Sequence, residues 1–169
     1  DRSGEWLFEA LHRFGFANQP NSDSRDDDFA LKDCYITATI RCAPPENKPT
    51  PEEIENCRPY LLKELDLLRN VKVVVPLGQI AFTQTLKSLR IKGFEIPSLT
   101  FGHGKVFPLR TPYSLPSPKR FVQAGELRTL ITTYHPSQQN TLTGKLTRPM
   151  FYKIFKMIHS ELRTHNSEL

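Results

Sequence analysis

The sequence predicts an α/β fold, three αβα layers around a central, mostly parallel four-stranded sheet. Three observations carry this. Short β-rich apolar runs at residues 35–40, 71–77 and 127–133 are separated by stretches of helical periodicity, and such alternation favours a parallel sheet covered on both faces. The helical stretches carry readable start and stop residues. With 169 residues, 38% of them apolar, the chain is one domain's worth and can bury a proper core.

The elements follow in order. Residues 3–14 read as a helix that Ser3 can cap, with Leu7, Phe8, Leu11 and Phe14 on one face and Gly15 ending it. Residues 17–33, with Asn18, Pro20, Asn21, Ser22 and the Asp26-Asp27-Asp28 run, form a polar loop. Residues 35–40 are expected to be a strand, Ile36, Ala38 and Ile40 on one face and Tyr35, Thr37 and Thr39 on the other. The Pro-rich segment from Ala43 through Pro49 is a rigid loop. Thr50 then caps a helix, Pro51 fits its first position and Glu53 completes a capping box. The apolar stripe of that helix is Ile54, Cys57, Leu61, Leu65 and Leu68. Residues 71–77 make a buried strand, and Gly78 turns it into a helix closed by Gly93. Residues 94–127 are irregular, with five prolines and one short strand at 105–109. Residues 127–133 form a further strand, and a last helix starts near Pro149 with Phe151, Ile154, Phe155, Ile158 and Leu162 facing inward.

Charge and composition narrow the function. No apolar run approaches the roughly 20 residues that cross a bilayer, and residues 5–11 alternate Glu with Trp, Leu and Phe instead of forming a secretory leader. The net charge is +5, but residues 1–99 hold 13 Lys/Arg against 15 Asp/Glu while residues 100–169 hold 10 against 3. That basic C-terminal part suits a nucleic-acid surface, or merely a solubilising face. Three cysteines, Cys34, Cys42 and Cys57, are not a disulfide framework and point to a reducing, intracellular setting. The chain begins on Asp1 and not on Met, which suggests a trimmed or incomplete chain.

Two segments could carry chemistry. Tyr134-His135-Pro136-Ser137-Gln138-Gln139-Asn140-Thr141 directly follows an apolar run, and open α/β sheets place their sites in loops at the carboxyl ends of strands. A His there is either a hydrogen-bonded structural residue or a catalytic one. The other segment is Tyr35-Ile36-Thr37-Ala38-Thr39-Ile40-Arg41-Cys42 and the loop after it. Cys57 reads as a core thiol on an apolar stripe, and an isolated pair of cysteines 15 positions apart is a weak metal signal, since a closed site needs four ligands. Asn47 reads as a turn residue between prolines, and Asp1 as an exposed helix-start carboxylate.

Together these segments resemble the uracil-DNA glycosylase superfamily, and within it the iron–sulfur-containing family 5. The resemblance rests on Asp1-Arg2-Ser3-Gly4, on Arg41-Cys42 with Pro44-Pro45, Asn47 and Pro49, on Pro51-Glu52-Glu53-Ile54-Glu55-Asn56-Cys57, on Phe101-Gly102-His103-Gly104 and on the His135 loop. It implies that Cys42 and Cys57 are two of four thiolate ligands of a 4Fe-4S cluster. The other two, with the family's first strand and its Gly-x-Ala-Pro loop, are expected before Asp1, so that residues 1–169 form a single domain truncated at its N-terminus. Cys34 matches no ligand position.

The same resemblance implies catalytic roles for Asp1, Asn47 and His135. Asn47 would hold the hydrolytic water and Asp1 would help polarise it and stabilise oxocarbenium character. His135 would donate to the departing base as negative charge develops on it. Ser137, Gln138 and Asn140 would meet DNA around an extruded base, and Lys145 and Arg148 would contact phosphates. Ala38 stands where family 4 carries an Asn that reads uracil; without that amide, discrimination relaxes, which fits family 5. The implied activity is a monofunctional DNA glycosylase of base excision repair, acting on uracil and other deaminated or damaged bases in double-stranded DNA. No Lys is placed for Schiff-base lyase chemistry. The protein is expected to be a cytoplasmic, nucleoid-associated monomer with no membrane partner. Two other readings stand beside it, a uracil-specific family 4 enzyme and a non-catalytic DNA-binding module of the same fold.

Overall fold

The computed structural model of the chain describes residues 2–44, 48–110 and 127–166. Its elements run α1 (Arg2–Arg13), α2 (Pro51–Leu67), β1 (Val73–Val74), α3 (Gly78–Ile91), β2 (Val106–Pro108), β3 (Thr129–Ile131), α4 (Gln138–Leu142) and α5 (Arg148–Asn166). The α/β class is as expected, but the sheet differs. Among the described residues it has three strands in the order β1-β3-β2. β1 pairs with β3 in parallel, Val73 opposite Thr129 and Val74 opposite Leu130, while β2 runs antiparallel to β3. A bridge between Leu77 and Thr133 extends the parallel pair toward its carboxyl end.

The side chains of β3 alternate between two helical layers, as the pleat requires. Leu130 is fully buried in a cluster with Phe82, Leu86 and Leu89 of α3 and with Phe94, Leu109 and Leu127. Thr129 turns the other way and donates its hydroxyl to Glu161 of α5 at 2.9 Å. α5 in turn packs on α1 through Phe151 and Phe155 against Ala10 and Leu11, and the Phe14 ring stacks on Phe155 at 5.4 Å. Truncating Leu130 to Ala would open a cavity costing roughly 2–5 kcal/mol, because the surrounding helices cannot collapse into it fully.

Several elements start and stop at the residues the sequence marks. Thr50 accepts from the Glu53 N–H and Glu53 accepts from the Thr50 N–H, a complete capping box with Pro51 at the first position. Gly15 and Gly93 close α1 and α3 with φ of 79° and 89°. One assignment fails. Residues 35–40 form no strand among the described residues, and Tyr35 and Ile36 are exposed. Alternation gives a segment two faces but does not supply a neighbouring strand. This segment is held instead by side chains on α2: Tyr35 and Thr37 donate hydroxyls to Glu64, and Arg41 pairs with the same carboxylate. Two smaller corrections concern helix starts. Ser3 lies inside α1, one residue past its start at Arg2. The His135 loop contains a short helix, α4, which the sequence reading did not foresee.

Candidate active site at the carboxyl ends of the parallel strands

β1 and β3 run in parallel, so the chain leaves both at the same edge of the sheet. After β1 it passes through Pro76 and Leu77 into α3; after β3 it passes through Thr132 and Thr133 to His135. The Gly78 N–H donates to the Thr133 carbonyl at 2.8 Å, tying the two exits together. A Cβ on Gly78 would stand 3.0 Å from the His135 Cβ, and Gly78 has φ of 91°, so only glycine fits this close approach without strain. His135 therefore sits against the first turn of α3. That helix begins on Leu77, whose side chain makes no capping hydrogen bond. The N–H groups and positive dipole end of the helix face the same edge as the imidazole, an arrangement that favours negative charge there.

Partial desolvation pulls the His135 pKa below the ordinary histidine range, so the imidazole is neutral at neutral pH and can donate one N–H. The loop after it is built by local caps. Ser137 caps α4 by accepting from the Asn140 N–H, and the Asn140 amide donates to the His135 carbonyl at 2.9 Å. The Leu146 N–H donates to the Asn140 carbonyl at 2.9 Å. Ser137 and Asn140 thus hold His135 in place, while Gln138 points into solvent. The Lys145 ammonium lies over the Tyr134 ring, 5.0 Å from its centre, and its side chain is exposed.

Arg148 is otherwise engaged. Its guanidinium pairs with Glu9 of α1, is reached by the Tyr152 hydroxyl at 3.4 Å and stacks over Trp6 at 5.0 Å. These contacts join α1 to α5 and give Arg148 a packing role, while its side chain stays half-exposed beside the His135 loop. Sequence reading could not foresee it because Glu9 and Arg148 are 139 positions apart.

Cys42 and Cys57 come together. The Arg41 N–H donates to the Cys57 sulfur at 3.4 Å, and the Cys42 thiol, hydrogen-bonded to Cys57, has its pKa raised by partial desolvation and then by Glu53 and Cys57. Two adjacent sulfurs on a loop and a helix suit half of a four-thiolate set. Among the described residues no three Cys, His, Asp or Glu side chains converge on a metal-sized site. Cys34 lies apart, partly buried against the α1/α5 core, where burial raises its pKa. Ala38 is exposed on the segment clamped to Glu64. Asp1 and Asn47 fall outside the described residues.

Several residues of this edge escaped the sequence reading. The sequence marks Gly78 as a turn; the signal for more is a helix start, Pro76-Leu77-Gly78-Gln79, without a Ser, Thr, Asp or Asn to cap it. Ile80 and Leu142 are 47% and 69% exposed on the first turn of α3 and the end of α4. An apolar groove of about 330 Å³ lined by Ile96, Leu99, Phe107 and Leu109 lies elsewhere. It borders the amino end of β3, where Leu109 pairs with Arg128, away from His135. No helix among the described residues is long and apolar enough to cross a membrane.

Known proteins resemble this chain over most of its length. A type-5 uracil-DNA glycosylase of Thermus thermophilus is 40% identical over 154 residues, covering 91% of this chain and 62% of the relative. One of Mycobacterium tuberculosis is 39% identical over 157 residues, covering 92% and 52%. A type-4 uracil-DNA glycosylase of Pyrobaculum aerophilum is 28% identical over 136 residues, covering 80% and 55%. The chain thus spans about half to three-fifths of the length of these relatives, and its likeness is stronger to the type-5 proteins. The model of the uracil DNA glycosylase superfamily matches residues 1–159, nearly the whole chain, with the His135 loop inside the match; the chain belongs to that superfamily.

Proposed function

We propose that the full protein is a monofunctional DNA glycosylase of base excision repair, hydrolysing the N-glycosidic bond of uracil and other deaminated bases flipped out of double-stranded DNA. The observation that carries this reading is the placement of His135, a neutral donor held against the uncapped first turn of α3. As the bond to the sugar breaks, electrons move onto the base and collect on its ring oxygens. A fixed imidazole N–H and the positive end of a helix stabilise that charge without reorganising. His135 need not transfer its proton; donation suffices.

The remaining parts follow from the family resemblance and its chemistry. Asn47 and Asp1 would bind and polarise the attacking water. Ala38 offers a base no hydrogen bond, so a pocket walled by it would accept hypoxanthine as well as uracil. Leu142, apolar and exposed at the end of α4, would fill the gap in the stack left by the extruded base, while Lys145 would hold a phosphate. Cys42 and Cys57 would supply two thiolates to a 4Fe-4S cluster whose other ligands lie outside this sequence; bound there, the cluster would pin the loop after Arg41 to α2. The protein would act as an intracellular monomer on DNA.

The test is single-turnover excision from a duplex oligonucleotide by the full-length protein. Wild type should release uracil and hypoxanthine, and His135→Ala should slow both about 10²- to 10³-fold, the usual cost of removing one donor to developing negative charge. An unchanged rate in His135→Ala would overturn the reading. Cys42→Ser and Cys57→Ser should each bleach the thiolate–iron absorbance, with Cys34→Ser leaving it intact; a colourless wild type would remove the cluster from the proposal.

A further inference from the structure

The segment Phe101-Gly102-His103-Gly104 is not used by the proposed chemistry, yet it is stitched to the end of β3 more tightly than its loop character requires. The Gly104 N–H donates to the Thr132 carbonyl at 2.8 Å, the Thr132 hydroxyl donates to the Gly102 carbonyl at 2.5 Å, and the Thr132 N–H donates to the Lys105 carbonyl at 2.9 Å. At the centre lies His103. Its Nδ1 accepts from the Tyr134 N–H at 3.4 Å and stands 3.2 Å from the Thr133 hydroxyl. Its ring packs on that of Tyr134 with centres 5.3 Å apart. A backbone N–H can only donate, so Nδ1 carries no proton and Nε2 does; the Met150 carbonyl of α5 is the backbone partner of the ring. Thr133 and Tyr134 are the two residues immediately before His135, and Thr133 also accepts from Gly78.

We infer that His103 is a positioning residue for catalysis, fixing the Thr133-Tyr134 backbone through Nδ1 and thereby setting the imidazole of His135 against the first turn of α3. The inference rests on the glycosylase reading above and adds a residue to it. The acceptor is what counts, not the aromatic ring. The Oδ1 of an Asn lies about where Nδ1 lies in a His, whereas the Oε1 of a Gln reaches the position of Nε2. Loss of the acceptor leaves the Tyr134 N–H without its partner and lets the loop swing, which misplaces a donor that works only at hydrogen-bond distance.

The experiment compares His103→Asn and His103→Gln in the full-length protein, with uracil-containing duplex as substrate. His103→Gln should lower kcat at least tenfold with KM within a factor of two, and should accelerate hydrogen exchange at the Tyr134 amide. His103→Asn should recover most of both. If His103→Gln fails to fold, Thr133→Val, which exchanges for a methyl the hydroxyl that meets Nδ1 and donates to the Tyr134 carbonyl, should lower kcat at least threefold and accelerate exchange at the Tyr134 amide. Equal kcat for wild type, His103→Asn and His103→Gln overturns the inference, as does equal loss in the two His103 variants with unchanged Tyr134 exchange. Failure of the underlying reading shows itself differently: there, His135→Ala excises uracil at the wild-type rate.

Discussion

One glycine decides how closely His135 approaches α3. Gly78 combines φ of 91° with a Cβ position 3.0 Å from the His135 Cβ, so a methyl group is opposed by both the backbone and the neighbour. Left-handed backbone at a residue with a Cβ costs about 1–2 kcal/mol, and the contact adds displacement of the very side chain proposed to donate to the base. Gly78→Ala is expected to cost about 1–3 kcal/mol of stability by chemical denaturation and to lower kcat by more than that loss explains, since folded molecules also carry a misplaced His135. A variant destabilised by that amount but fully active when folded would show that the first turn of α3 is no part of the site. The sequence made Gly78 legible as a turn and His135 legible as a strand-end residue. It could not show that they touch, because their contact is made by the parallel pairing of β1 with β3, a long-range event.

At the scale of elements, legibility followed locality. The capping box of α2 and the glycine stops of α1 and α3 depend on neighbouring residues and were read correctly. Residues 35–40 have ideal alternation yet pair with no strand among the described residues, because a ladder requires a neighbour that alternation cannot specify. α4 was missed because five residues are too few to show a period, although Ser137 with Asn140 three positions on was a readable cap. Arg148 lies beside Lys145 just beyond the loop, and its bonds to Glu9 and Tyr152 make it a clasp between α1 and α5. The two cations near the loop should therefore behave differently. Lys145→Gln should weaken binding to any duplex and reduce the slope of log K on log salt by about 0.9, one phosphate's worth. Arg148→Gln should leave that slope unchanged and cost roughly 1 kcal/mol of stability or less, as its clasp is half-exposed. Salt titrations of the two variants beside wild type separate these outcomes, and a smaller slope for Arg148→Gln would return it to the DNA surface.

Across the whole molecule, the partial desolvation that lowers the His135 and His103 pKa makes the fold sensitive to acid, although His135 is exposed at the surface and His103 is half-buried. Desolvation lowers the pKa of both, and in His103 the Lys153 charge of α5 adds to it while the Met150 carbonyl opposes. In the unfolded chain they return to about 6.5. As pH falls below that value the unfolded chain takes up protons that the native state refuses, so stability declines with acidification and levels off once the pH is below the native pKa values. The carboxylates act in the same direction but lower down. Glu9 and Glu64 are held below the usual range by hydrogen bonds and ion pairs to Tyr152 and Arg148, and to Thr37, Tyr35 and Arg41, which outweigh their desolvation. Their contribution is present above about pH 4.3 and is lost as pH falls through their native values. Unfolding free energies of the full-length protein should therefore fall in two stages, a first that begins as pH drops below about 6.5, from the histidines, and a second below about pH 4.3, from the glutamates. The double variant His103→Asn, His135→Ala should flatten the first stage and leave the second in place. A first stage of unchanged steepness in that variant would assign the acid sensitivity to other groups and remove desolvation as the reason these two imidazoles are neutral at the site.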